Sequence, residues 1–310
     1  MRTIACLAAG GVAIALPFFV GPYGHYLLCM AVIYAMVALS LGLLLGVAGQ
    51  ISIGHAGFWA IGAYTSAILV TKVGVPFILT LLVSGLFAGV AGLLVALPAL
   101  RVQGHYLAIA TLGFSLVIVH VLYEWDGLTG GRQGMFVPRP SIFGYELMSD
   151  FSAYFLLLAI LAVTLLLVVN LRRSLGGLSL NAMRLSDIAA QVCGVNRATT
   201  TMFVFALSAA ITGVSGAFYG AVLGQLSTDS FTLVVSLGFL TMVIVGGLHS
   251  VVGALLGGLF LAYSPEFLRA FEEWQMFIYG ALLVGFMHLL PDGLASLPRR
   301  ALRLVRRRDA

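Results

Sequence analysis

Long apolar runs separated by short polar breaks extend along nearly the whole chain, and they constrain the fold more than any other feature. A transmembrane helix needs about 20 mostly apolar residues to cross the bilayer. Of the 310 residues, 61% are hydrophobic and only 9% are charged, whereas soluble domains carry about 25% charged residues. The sequence therefore predicts an all-α membrane protein, a polytopic bundle of about eight to ten transmembrane helices.

Ten apolar segments are candidate spans. They are Thr3–Val20, Tyr26–Val47, Ser52–Thr71, Pro76–Pro98, Tyr106–Tyr123, Phe151–Asn170, Thr200–Leu223, Thr232–Gly247, Val251–Tyr263 and Gln275–Leu290. The first segment follows one arginine but precedes no convincing small-residue cleavage site, so we interpret it as a retained helix. The eighth and ninth are short and could be tilted, half-spanning or re-entrant. We predict one transmembrane domain over residues 1–298, followed by a basic tail over residues 299–310.

The basic residues predict the orientation, because cytoplasmic loops of membrane proteins carry an excess of Lys and Arg. Ten crossings put both termini on one side, and that side then holds 12 of the 16 basic residues. The opposite side holds eight of the 11 acidic residues. Both termini are therefore predicted to be cytoplasmic. The tail arginines directly follow an apolar segment, so we expect them to meet anionic lipid head groups rather than nucleic acid.

Several chemistries have no residue pattern in this chain. No Walker phosphate loop, zinc-protease helix or GxSxG motif occurs, and Cys6, Cys29 and Cys193 follow no metal-ligand or disulfide spacing. We therefore expect no enzymatic activity, no metal and no cofactor bound by this chain. The predicted spans also lack the buried carboxylates that ion-coupled carriers use, which indicates that the energy for transport comes from elsewhere.

The first informative stretch, Gly49–Phe58, places glycine and polar residues between two apolar runs. Irregular backbone at membrane depth is tolerated only where it is buried or lines a cavity, and a helix start there could bind a carboxylate. The candidate residues of a translocation path are Gln50, Ser52, Gly54, His55 and Gly57. A simple cytoplasmic turn explains the same pattern, and His55 could be a structural histidine.

The second stretch lies in the longest outer loop, Glu124–Asp150. Its residues Thr129, Gly130, Gly131 and Arg132 suit a tight turn that could hold an anion or dock a partner protein. An ordered turn with no binding role is the alternative.

The third stretch is the cytoplasmic loop 171–199, whose centre Asn181–Gly194 is predicted to form one short helix. Leu185, Ile188 and Val192 recur at spacings of three and four and would share one face, and Gly194 would cap the C-terminal end. Such a helix could lie on the membrane or fit a groove in a partner.

Together these stretches resemble a known family, the branched-chain amino-acid permeases of bacterial ATP-binding-cassette importers, of the LivH/LivM type and closest to its LivM branch. The matching residues are Gly49–Phe58, Tyr106–Gly113, Leu128–Met135, Ser186–Asn196 followed by Phe203–Gly220, and Gly246–Leu248 before Gly253–Gly257. The resemblance runs from about residue 35 to 290. It implies a fold like that of the type II importer permeases and a place in the bacterial inner membrane.

The resemblance also implies partners. These are a second permease subunit, usually a paralogue, two cytoplasmic ATPase subunits that bind ATP and magnesium, and a periplasmic substrate-binding protein. The helix Asn181–Gly194 resembles the loop that couples to the ATPase, and Ala189, Ala190 and Gly194 occupy its alanine and glycine positions. Where the family motif has a glutamate, this chain has Ile188 preceded by Asp187. Urea, short amides and other small solutes are alternative substrates, and a self-contained carrier or channel is the alternative class.

Overall fold

The computed structural model describes residues 10–102, 104–138, 141–142, 145–146 and 150–268, together with residues 274, 277, 280–281, 284–285 and 293–296. The predicted basic tail 299–310 lies outside the described residues. So do most of the predicted tenth span and the start of the first one.

Helices dominate the described residues, as the sequence predicts. In chain order they are α1 (Pro22–Leu41), α2 (His55–Ile68), α3 (Phe77–Ala99), α4 (His105–Glu124), α5 (Asp126–Thr129), α6 (Asp150–Arg173), α7 (Leu175–Leu185), α8 (Asp187–Val192), α9 (Arg197–Leu223), α10 (Leu233–Gly246) and α11 (Val251–Leu268). Helices α1 and α2 continue as π-helical turns over Gly42–Val47 and Leu69–Val73. Short 3-10 turns cover Leu16–Phe19, Gly131–Gln133, Thr228–Phe231 and Leu294–Ser296.

Four two-residue strands interrupt the helical pattern. Strands β1 (Met135–Phe136) and β4 (Gln225–Leu226) pair antiparallel, and β2 (Ser141–Ile142) pairs with β3 (Tyr145–Glu146) in the same way. The β1–β4 pair joins the long loop after α4 to the end of α9.

Six helices among the described residues are long and apolar enough to cross a membrane, and they match the second to seventh predicted segments. The all-α polytopic fold is therefore confirmed. Some boundaries differ: α1 begins at Pro22 rather than at Tyr26, and α2 begins at His55 rather than at Ser52. The eighth segment forms α10, whose 14 residues extend about 21 Å and fall short of the ~30 Å hydrocarbon core. The ninth forms α11, which is 18 residues long.

Helix α9 lies at the centre of the bundle and packs along α2, α3 and α1. Gly62 of α2 faces Gly213 of α9 so closely that a Cβ on Gly62 would overlap the Gly213 backbone. Helix α11 packs on α10 in the same manner, through Gly253 and Gly257 against Gly246. Helices in lipid gain little hydrophobic energy from touching, so small residues that admit close backbone contact hold such bundles together.

The loops gather at two ends of the bundle. At the first, called here the β1–β4 end, Lys72 Nζ after α2 donates to Gly127 O at 2.6 Å. At the other, the α7–α8 end, His249 Nδ1 lies 2.9 Å from Gly46 O, and Arg184 Nη1 lies 3.2 Å from His249 Nε2. The turn between α10 and α11 therefore lies beside the loop 171–199, which agrees with the predicted order of crossings.

Two segments without α-helix enter the bundle from these opposite ends. The first entering segment, Ala48–Gly54, leaves the α7–α8 end after the Gly42–Val47 turn. It leads to His55, whose ring bonds to Ser208, and Ser208 Oγ donates to Ser40 O. Ser40 precedes Val47 by seven residues, which corresponds to about 10 Å along the helix. The chain therefore turns back into the bundle before α2 begins.

The second entering segment, Ser227–Thr232, leaves the β1–β4 end after β4. Its Phe231 ring packs against Trp59 and Tyr64 of α2, at centroid distances of 5.4 and 5.8 Å. Helix α10 then starts beside the start of α2, and the Ala56 N–H donates to Ser236 Oγ at 3.2 Å. Two helices thus begin side by side inside the bundle.

Candidate functional site

The loop 171–199 forms two short helices, so the prediction of one helix over Asn181–Gly194 is wrong. Helix α7 ends at Leu185 and α8 starts at Asp187, with Ser186 extended between them at φ −159° and ψ 111°. The Ser186 hydroxyl accepts from the Ala189 N–H at 3.3 Å and caps α8. A serine followed by an aspartate is a common N-cap pattern, and this was the local signal for the break.

The three apolar candidates of this loop all face outward. Leu185 and Ile188 are each 79% exposed, and Val192 is 84% exposed. Leu185 belongs to α7, so the three side chains share one exposed surface but not one helix face. We call Leu185, Ile188 and Val192 the loop apolar surface. Ala189 is exposed as well, whereas Ala190 is buried beneath α8.

The end of α8 is fixed by the predicted glycine. Gly194 has φ +87°, its N–H donates to Gln191 O at 3.0 Å, and the Val195 N–H donates to Ala190 O at 3.0 Å. These bonds form a Schellman motif, which a residue with a Cβ would strain. The ion pair between Asp187 Oδ2 and Arg197 Nε, at 3.1 Å, ties the start of α8 to the start of α9. The start of α8 is therefore linked to the central helix of the bundle.

The first entering segment carries a buried chain of polar contacts. His55 Nδ1 lies 3.0 Å from Ser52 Oγ, and His55 Nε2 lies 3.0 Å from Ser208 Oγ. The chain of contacts extends to Ser40 Oγ, which lies 2.7 Å from Thr212 Oγ1. Each ring nitrogen of His55 has one serine hydroxyl as its partner. The ring is thus bonded without a counter-ion, which suits a neutral imidazole inside a bilayer.

Most of the candidate residues of the translocation path lie close together in the structure, but they are buried between packed helices. Ser52, Gly54, His55 and Gly57 are buried, and Gln50 is partly exposed near the α7–α8 end. A Cβ on Gly54 would overlap the Thr111 backbone of α4, and the Ile53 N–H donates to Thr111 Oγ1 at 3.0 Å. The segment is therefore more than a simple loop turn, because its second half is buried between helices.

The glycine pair of the long loop forms the predicted tight turn. Thr129 Oγ1 donates to Leu122 O at 2.6 Å, and Gly130 and Gly131 have φ of +75° and +51°. Thr129 and Gly131 are buried, whereas Arg132 is exposed and its guanidinium lies 4.8 Å from the centroid of the Tyr123 ring. Of the four candidates, Arg132 is the side chain that this turn presents outward.

Several residues of these contacts were missed from the sequence. Ser40, Ser208, Thr212 and Ser236 lie within apolar helices, and the sequence analysis did not single them out. The spacing of four between Ser208 and Thr212 was the one local indication, because it places both hydroxyls on the same face of a helix. Their roles depend on which helices meet, and the sequence does not state this.

The bundle, its two entering segments and the exposed loop helices define a polytopic helical membrane protein of the permease class. A family model described as the permease component of branched-chain amino acid transport systems matches residues 25–287. The chain belongs to this family.

Curated relatives agree with the family. The chain is 34% identical to the high-affinity branched-chain amino acid transport permease protein LivM of Salmonella typhimurium strain LT2, over 94% of this chain and 75% of that protein. It is equally similar to LivM of Escherichia coli strain K12, at 34% identity over 94% and 74%. The LivH permease protein of Escherichia coli strain K12 is 25% identical over 86% and 92%. No solved structure matches this chain.

Proposed function

We propose that this chain is one permease subunit of an ATP-binding-cassette importer that moves branched-chain amino acids into the cytoplasm. A second, related permease subunit completes the pathway, as the similarity of the chain to both LivM and LivH suggests. Two cytoplasmic ATPase subunits bind and hydrolyse ATP with magnesium, and a periplasmic binding protein delivers the substrate. The protein lies in the bacterial inner membrane with both termini and the loop 171–199 in the cytoplasm.

The observation that carries the mechanism is the loop apolar surface. Leu185, Ile188 and Val192 are exposed next to a fixed helix end and an ion pair to α9. Exposed apolar groups of this size on a water-facing loop favour docking into a groove of a partner. When α8 is docked on the ATPase, the movement that ATP binding causes is transmitted to the bundle, because α8 moves with the start of α9.

The two other groups of candidates take the remaining roles. Arg132 and the turn Thr129–Gly131 lie at the β1–β4 end, which we assign to the periplasmic side and to contact with the binding protein. The first entering segment forms part of the wall of the translocation pathway, and its Gln50 lies near the α7–α8 end. Its hydroxyl and imidazole groups hold that wall in place between α1, α4 and α9.

Ile188→Asp tests the proposal in the assembled importer. A charge placed in the docking groove without a partner costs several kcal/mol. We expect the variant chain to insert into the membrane normally, to lose co-purification with the ATPase subunits and to lose ATP-driven uptake of leucine. Thr199→Asp is the matched control, since it adds the same charge to the same loop at the first turn of α9, where a carboxylate is favourable.

Normal uptake and normal ATPase association of Ile188→Asp would contradict the coupling role of α8. Leucine uptake driven by a proton or sodium gradient in vesicles that contain this chain alone would contradict the importer proposal itself. Reporter fusions after Ala310 and within residues 127–145 test the orientation, and they should report opposite sides of the membrane.

A further inference from the structure

Two hydrogen-bond donors are buried beside the second entering segment without a partner. Trp59 and Tyr64 are each 1% exposed, and neither Trp59 Nε1 nor the Tyr64 hydroxyl has an acceptor among the described residues. Most buried polar side chains in proteins are hydrogen-bonded, and an unbonded donor costs free energy. Two such donors whose rings both pack against Phe231 therefore call for a ligand or a second conformation.

Both donors belong to one aromatic cluster, which consists of Trp59, Tyr64, Tyr219, Phe231 and Phe239. The Trp59 ring lies 4.1 Å from Tyr219 and 5.1 Å from Phe239, measured between centroids. Phe231 contacts both Trp59 and Tyr64, so one ring covers both donor-bearing residues. Phe231 lies on the second entering segment, which connects β4 to α10 through a single 3-10 turn.

Close to Trp59, other buried polar groups of the protein do have hydrogen-bond partners. One turn before Trp59, the start of α2 is bonded by a hydroxyl of α10, through Ala56 and Ser236. The backbone donors at the helix starts are thus satisfied by the protein, whereas the two side-chain donors are not. The difference indicates that Trp59 and Tyr64 bond to something that enters the cluster.

The donors determine the chemistry of that ligand. An indole N–H only donates, and a phenol can donate, so a pair of them suits a carboxylate, which accepts at two oxygens. The positive ends of α2 and α10 favour the same charge. The rings supply an apolar wall for an aliphatic side chain. Asp229, exposed two residues before Phe231, supplies a carboxylate for an ammonium group.

We propose that the aromatic cluster is a substrate site for a zwitterionic aliphatic amino acid, closed in this structure by Phe231. When the second entering segment withdraws, Trp59 Nε1 and the Tyr64 hydroxyl bind the carboxylate of the passing substrate. This inference rests on the proposed function, since it concerns the substrate of the same permease.

The experiment uses the complete importer in proteoliposomes, with ATP inside and the binding protein loaded with radiolabelled leucine outside. Trp59→Phe and Tyr64→Phe each remove one donor and keep an aromatic ring. A lost hydrogen bond to a charged group corresponds to about a tenfold effect. We expect each variant to lower the maximal rate of uptake about tenfold, because the binding protein sets the apparent affinity. The melting temperature of Tyr64→Phe should not fall, because the hydroxyl that it removes has no partner among the described residues. Trp59→Phe also leaves a cavity in a fully buried site, so its melting temperature should fall for that reason alone.

Ser84→Ala is the matched control. Ser84 Oγ is also buried without a partner among the described residues, but it lies on α3, which contributes no ring to the aromatic cluster. Its removal should leave uptake and melting unchanged.

Uptake at the parental rate in both variants would overturn the substrate site. A lower melting temperature of Tyr64→Phe would also overturn it, because the Tyr64 hydroxyl would then be bonded within the protein. Failure of the parental importer to take up leucine with ATP would instead contradict the proposed function, so the two failures are distinguishable.

Discussion

The two entering segments have equivalent positions in the topology but differ in whether the buried polar groups beside them have hydrogen-bond partners. Each interrupts a pair of helices, enters from one end of the bundle and ends at a helix start, and the two helix starts touch through Ala56 and Ser236. The first entering segment leads to His55, whose ring nitrogens each have a hydroxyl partner. The second covers Trp59 and Tyr64, whose donors are unbonded among the described residues.

This difference indicates that the first entering segment has a structural role and that the second takes part in transport. A buried polar network with every member bonded is rigid, and loosening it costs free energy for each bond that is lost. A buried donor without a partner gains free energy when a ligand arrives. Broken helices that start side by side are also typical of transporters that bind substrate at their midplane. We therefore expect the first entering segment to stay in place during transport and the second to move.

The largest effect on stability is expected from His55→Leu. The change leaves Ser52 Oγ and Ser208 Oγ without their shared partner, and the loss should be about 3 kcal/mol. Thermal unfolding of the purified chain in nanodiscs measures it. His120→Leu is the control, because His120 is exposed on α4, and equal shifts in the two variants would contradict the structural role of His55.

Gly54→Ala should come next, at about 2 kcal/mol. The new Cβ would overlap the Thr111 backbone, so α4 and the first entering segment would have to separate. The same melting measurement applies. Gly113→Ala on α4 adds a methyl group where no atom lies within 4 Å and should not destabilise the protein. A tolerated Gly54→Ala would mean that the first entering segment is mobile.

Ser236→Ala should cost about 1 kcal/mol, because it removes the hydroxyl that caps the start of α2. Hydrogen exchange at the Ala56 amide should also become faster than in the parent chain. Ser179→Ala provides a comparison, since Ser179 Oγ bonds only within its own helix, to Leu175 O. No change in exchange at Ala56 would show that the two helix starts are not coupled.

The smallest change in stability is expected from Tyr64→Phe, at about 0.5 kcal/mol or less in either direction. Its unfolding midpoint should match that of the parent, in contrast to His55→Leu. A loss near 2 kcal/mol in this variant would remove the distinction between the two entering segments.

Much of the fold follows from local patterns. The long spans are set by apolar length, and the turn at Thr129–Gly131 and the cap at Gly194 are set by residues that tolerate positive φ. The break at Ser186 was missed although its capping pattern is also local. Leu185, Ile188 and Val192 are exposed, but their assignment to one helix was wrong.

The candidate site was only half predicted. The sequence singled out Gly49–Phe58 because polar residues interrupt an apolar run, and Ser52 and His55 are indeed buried at depth. The His55 partner Ser208 and its own acceptor, Ser40 O, lie more than a hundred residues from each other. The aromatic cluster also joins α2 to a segment far along the chain, and neither part is unusual when read alone.

The sequence by itself determined the class of protein, the long spans and the cap at Gly194, because apolar length and helix caps act between residues that are close in the chain. Only the tertiary structure decided which buried polar groups find partners. A hydroxyl or an indole N–H in an apolar helix has the same local pattern whether a neighbouring helix bonds it or not. The packing of α9 and α10 against α2 satisfies His55 and leaves Trp59 and Tyr64 without a partner among the described residues.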